Sequence, residues 1–121
     1  MKEAARFFKV LADESRLKML WLLFNRRELC VCDIMAVLEI TQSKASRHLR
    51  YLRDAGVLED EREGLIVNYR LPTSQGEELS AIIAMLRNLL ANRRIPDAAP
   101  LLVQMRDARS ENDPPGWENE S

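Results

Sequence analysis

Apolar residues along this chain fall into blocks with helical spacing, separated by short polar breaks. Phe7, Phe8, Val10 and Leu11 predict a first helix from about Lys2 to Leu11. Asp13 is a good N-cap, and Leu17, Met19, Leu20 and Leu23 carry an apolar stripe through a second helix, Glu14 to about Phe24. Asn25-Arg26-Arg27 ends that helix, with its cations where a helix C-terminus favours them. A short third helix covers Val31 to Leu38. Thr41 or Ser43 caps a fourth that runs to Ala55, where Gly56 supplies a stop. From Leu58 to Arg70 the pattern fits two strands joined at Glu63-Gly64, and Pro72 ends the second. Leu79, Ile82, Ile83, Leu86, Leu89 and Leu90 recur at offsets of three, four and seven, which predicts a long helix from about Gln75 to Arg93.

Four helices, a hairpin and a long helix make a mainly α fold with a small β-hairpin. Two short helices with a tight connection and a following hairpin describe a winged helix-turn-helix. Three segments are expected: a domain over 1–95, a short helix over 96–109 after the break at Pro96, and an acidic, disordered tail over 110–121. At 121 residues the length suits one compact domain. No apolar run approaches the roughly 18 residues of a membrane span, and the charged first turns do not read as a secretory signal. The expected location is the cytoplasm, with no membrane partner.

Charge changes the picture locally. The net charge is -1, but the tail from Ser110 to Ser121 holds Glu111, Asp113, Glu118 and Glu120 and no base. The first 109 residues therefore carry 18 basic against 15 acidic side chains, or +3. Thr41 to Arg53 holds Lys44, Arg47, Arg50 and Arg53 with no acid. Ala45, Leu49 and Leu52 point inward there and leave Gln42, Ser43, Lys44, Ser46, Arg47 and His48 outward near the N-terminal end. That is the end of a recognition helix that meets base edges in a major groove. Gln, Lys and Arg suit bases, while Thr41, Ser43 and Arg50 suit phosphates. His48 is the only histidine, so it fits a DNA-facing or hydrogen-bonding role better than a metal site. Charge runs are usually solvated faces; the helix before and the hairpin after favour DNA here. The hairpin has Glu59, Asp60, Glu61 and Glu63 around the single base Arg62. A minor contribution to DNA binding is expected from it, through Arg62 alone.

The only two cysteines, Cys30 and Cys32, stand at the start of the third helix, where the helix N-terminus favours thiolate. Soft thiolates select soft acceptors such as trivalent arsenic or antimony. A buried pair of small residues and a local disulfide are the other readings. Two residues apart on a helix, the sulfurs would point about 200° from each other, so one ion should grip both only by bending that first turn. No Gly-rich phosphate loop or nucleophile with a partner base occurs, so an enzyme is not expected.

Several stretches together resemble the ArsR/SmtB repressor family. Leu11-Ala12-Asp13-Glu14-Ser15-Arg16-Leu17-Lys18-Met19-Leu20 looks like its opening motif, and Glu28-Leu29-Cys30-Val31-Cys32-Asp33-Ile34 like the sensing motif of its arsenic-responsive branch. Gln42-Ser43-Lys44-Ala45-Ser46-Arg47-His48-Leu49 looks like its recognition helix. Leu52 to Leu58 and Val67 to Leu71 look like the helix exit and second wing strand. The resemblance covers roughly residues 5 to 90. It implies a homodimeric repressor on an inverted-repeat DNA operator, released when arsenite or antimonite binds Cys30 and Cys32, with no permanent cofactor. It also implies a dimer surface on the first and long helices, here Phe7, Phe8, Leu79, Ile82, Ile83, Leu86 and Leu90. Many arsenic sensors carry a third cysteine where this chain has Met35, so water, hydroxide or an external thiol would complete the site. The competing expectations are another soft metal or thiol oxidation as input, and a dimeric interaction module without DNA binding.

Overall fold

The computed structural model describes residues 1–92. The helix expected over 96–109 and the acidic tail over 110–121 lie outside them. In chain order the elements are α1 (Lys2–Leu11), α2 (Glu14–Asn25), β1 (Leu29–Cys30), α3 (Val31–Leu38), α4 (Gln42–Asp54), β2 (Glu59–Glu63), β3 (Ile66–Arg70) and α5 (Glu77–Asn92). None of the described helices is long and apolar enough to cross a membrane.

Local chemistry sets the helix starts. The Asp13 carboxylate accepts from the Arg16 amide at 3.0 Å and caps α2. Thr41 does the same for α4 through Lys44, at 3.2 Å. Glu39, between α3 and α4, holds a left-handed φ of 54°. Gly56 (φ 84°) ends the turn after α4, and Val57 and Leu58 amides return to the Leu52 carbonyl.

The sheet has three antiparallel strands in the order β1-β3-β2, one more than the expected hairpin. Leu29 pairs with Tyr69 and Cys30 with Asn68. A two-residue strand is too short to leave a period in the sequence. The β2–β3 turn is Gly64-Leu65, between the paired Glu63 and Ile66. Only Gly64 has a positive φ, 62°, as in a type II′ turn.

The core joins α2, α3 and α4 to the base of the sheet. Met19, Leu20, Leu22, Leu29, Ile34, Leu49, Leu52 and Val57 are its largest fully buried side chains. α2 buries Met19, Leu20, Leu22 and Leu23, which span more than one face of the helix, because it sits between α1, α4 and α5. Leu86 of α5 closes the core, with Ile82 packed against it.

Candidate functional site

Two groups of side chains carry the chemistry. The first is the outer face of α4. Ala45, Leu49 and Leu52 are completely buried and tie the helix to the core. Thr41, Gln42, Ser43, Lys44, Arg47 and Arg50 are exposed, and Ser46 is half-buried at the edge. At 100° per residue, Ser43, Arg47 and Arg50 lie opposite the buried stripe. This is the arrangement expected of a DNA-reading helix.

His48 departs from that set. Its side chain is only 16% exposed. Its Nδ1 lies 3.0 Å from an Arg16 guanidinium nitrogen and 3.9 Å from an Asp13 carboxylate oxygen, both at the start of α2. Burial, and then the positive Arg16, Arg47 and Lys44, push its pKa down against the opposing pull of Asp13. The reason is positional: His48 follows Ala45 by three and precedes Leu52 by four, so it flanks the buried stripe. Arg16 is the side chain that sequence reasoning missed. Besides His48 it donates to the Val10 carbonyl at 2.5 Å and stacks its cation 5.3 Å from the Tyr51 ring centre. One residue thus ties the end of α1 to α2 and α4.

Arg53 also leaves the basic face. It donates to Asp60 at 3.1 Å and to Asp54 at 3.2 Å, and these bonds raise its pKa. The wing is less repulsive than its sequence suggested. Arg70 donates to Glu61 at 2.6 Å and Glu59 at 2.9 Å, and Glu61 and Glu59 in that order push its pKa up. Three of the four wing acids therefore have a cation partner, and Arg62 is exposed beside them. The cross-strand register, which pairs Glu59 with Arg70, is what brings these charges together.

The second group is Cys30, Cys32 and Asp33, whose donor atoms all lie within 4.8 Å of one another. Cys30 is extended (φ -90°, ψ 167°) and serves as the N-cap of α3. Its sulfur accepts from the Asp33 amide at 3.3 Å, and the Asp33 carboxylate accepts from the Cys30 amide at 3.0 Å. That reciprocal pair is a capping box built on a thiol. Cys30 and Asp33 are buried and Cys32 is exposed. The two sulfurs are joined as a disulfide, with Cα atoms 5.3 Å apart. The expected 200° separation does not hold, because Cys30 precedes the helix rather than belonging to it. The sulfurs meet with the capping box and the β1–β3 pairing in place. Met35 packs against the core. Asp33 is the residue beside the sulfurs that sequence reasoning did not single out.

The expected dimer residues divide. Ile83, Leu86 and Leu90 are 5–6% exposed within one chain, so they serve its own packing. Ile82 and Phe7 are partly buried against the core, and Leu79 is half-buried. Phe8 is 56% exposed. Met85 (55%) and Leu89 (40%) are the large apolar side chains that the described part of α5 leaves outward, four residues apart.

Comparison with known proteins agrees with this geometry. The bacterial regulatory protein, arsR family, matches residues 13–60. The chain is similar to arsenic resistance transcriptional regulator ArsR1 of Pseudomonas putida, 40% identical over 94 residues, 78% of this chain and 73% of that one. It is 36% identical over 77 residues to a cadmium resistance transcriptional regulatory protein CadC homolog of Staphylococcus aureus, covering 64% of each. The chain spans between about half and three quarters of the curated relatives it matches most strongly. Among solved structures, the homodimeric winged helix-turn-helix DNA-binding domain Mb0332 of Mycobacterium bovis superposes with a TM-score of 0.61. It is 30% identical and covers 78% of this chain and 82% of that one.

Proposed function

The chain belongs to the arsR family of bacterial regulatory proteins, and on that premise we propose that it is a homodimeric transcriptional repressor released from its operator when arsenite or antimonite binds Cys30 and Cys32. The observation that carries this reading is the thiol pair's place: one residue, Cys30, pairs with the wing strand β3 and caps α3, which packs on the exposed basic helix α4.

Gln42, Lys44, Ser46 and Arg47 read bases in the major groove, and Thr41, Ser43 and Arg50 hold phosphates, with a minor contribution from Arg62 of the wing. His48 acts through Arg16 to position α4. The Phe8, Met85 and Leu89 faces meet a second copy, which sets two recognition helices on an inverted repeat. The protein acts where chromosomal DNA lies, in the cytoplasm.

Induction starts from the reduced pair. A thiol or dithiol reductant gives the disulfide two electrons and two protons. Arsenous acid then exchanges two of its hydroxyls for the two sulfurs, the two thiol protons leaving with those hydroxyls as two waters and one hydroxyl remaining on arsenic. The chain has only two cysteines, so within one chain it cannot enclose a soft divalent cation in four sulfurs. That favours the metalloid over the cadmium in the name of one relative. Arsenic on the cap sulfur competes for the lone pairs that accept the Asp33 amide and so acts on the α3 cap, and inducer and DNA then prefer different arrangements of one segment.

The DNA half of the reading is tested with Arg47→Gln combined with Arg50→Gln. Both side chains are exposed, so melting temperature should hold. Affinity for a duplex from the DNA just upstream of its own gene should fall at least about tenfold. Unchanged affinity would overturn the assignment of α4.

A further inference from the structure

The wing tip carries an apolar surface that folding does not explain. Leu65 is 98% exposed and its neighbour Ile66 is 52% exposed. Leu65 is the second residue of the two-residue turn after Gly64. Polar residues are the rule at such positions, because nothing there is buried. Exposed Arg62, paired across the hairpin with Val67, stands one pair further from the turn than Glu63 and Ile66 and on the other face of the hairpin. The acids nearer the base of the wing are held by Arg70 and Arg53, which leaves Arg62 and Glu63 as the charges nearest the tip.

We propose that Leu65, with Ile66 behind it, is an apolar wedge that the wing inserts into the minor groove of DNA. Its size argues for this occupant. A protein interface engages roughly 20–30 residues a side, and two side chains at the end of a hairpin fall far short. A minor groove about 6 Å wide takes a narrow tip, and Leu and Ile are among the side chains that proteins push against base steps there. Arg62 is complementary to the negative potential of that groove. The wing therefore contributes through apolar contact, with Arg62 supplying the charge. This inference rests on the DNA-binding reading above.

The test is anisotropy of the same upstream duplex across a salt series, with wild type, Leu65→Ser, Leu65→Phe and Arg62→Gln. An apolar contact releases no counterion, so Leu65→Ser should weaken binding about five- to tenfold with the salt slope unchanged. Arg62→Gln, which removes one cation from each of the dimer's two wings, should lower the slope by about 1.8. Leu65→Phe should keep near wild-type affinity. Adenine N3 lies in the minor groove. Wild type should protect some of these atoms from methylation, and Leu65→Ser should leave them open. Exposure this complete means the variant should melt as wild type does. Leu65→Ser binding within twofold of wild type, or unaltered N3 protection, overturns the wedge and leaves the repressor reading standing. A wild-type chain that binds no duplex at any salt removes both.

Discussion

Arg16 donates to His48 Nδ1 at 3.0 Å, and a guanidinium has no acceptor to offer in return, so that nitrogen is unprotonated. Protonating it would break the contact that ties α4 to α2, and burial already lowers the folded pKa from the ordinary 6.5. The unfolded chain therefore binds more protons just below pH 6.5, and stability falls as the pH drops through that window. Asp13 opposes the shift while Arg16, Lys44 and Arg47 support it, so the direction belongs to the whole junction. Thermal melts at about pH 7.5 and about pH 5.5 should show a larger loss for wild type than for His48→Gln, whose amide accepts without titrating. Equal losses would place the acid sensitivity elsewhere. The sequence placed His48 on the right helix but among the outward residues. Its spacing from Ala45 and Leu52 was the better guide, since a side chain three or four residues from buried neighbours shares their side of the helix.

Caps and periods made most elements legible. Asp13 and Thr41 cap as their residue types and positions suggest, and α1 and α3 keep their expected limits. β1 was not legible, because two residues have no period and only pairing with β3 makes them a strand. The wing acids were legible as charges but not as partners of Arg53 and Arg70, since ion pairs depend on register. One turn keeps removable strain. Glu39 holds a left-handed φ of 54° between α3 and α4, where an L-residue costs roughly 1–2 kcal/mol. Glycine gives back part of that in backbone entropy, so Glu39→Gly should stabilise by about 0.5–1 kcal/mol, read as a rise of a few degrees in melting temperature. A fall would mean that the turn does not need that conformation.

At the scale of the molecule, the described residues form one path. The thiol pair touches β1 and α3, β3 links β1 to the wing strand β2, and α3 packs on α4. The motifs gave the family and the winged fold from residues alone. On α5 the helical spacing of a partner surface is shared by residues that pack within their own chain, and Ile83, Leu86 and Leu90 are buried there. The motifs put both cysteines at the entry of the third helix but gave them the angular spacing of two helical residues, where the structure makes Cys30 the cap. Coupling of the pair to DNA is the central claim. The most direct test follows fluorescence anisotropy of the upstream duplex while arsenite is titrated against the complex of pre-reduced protein. Release is expected at about one arsenite per thiol pair. None is expected from Cys30→Ser, from Cys32→Ser or from protein kept oxidised. Arsenite that consumes both thiols of the wild type while the anisotropy stays unchanged would contradict the account.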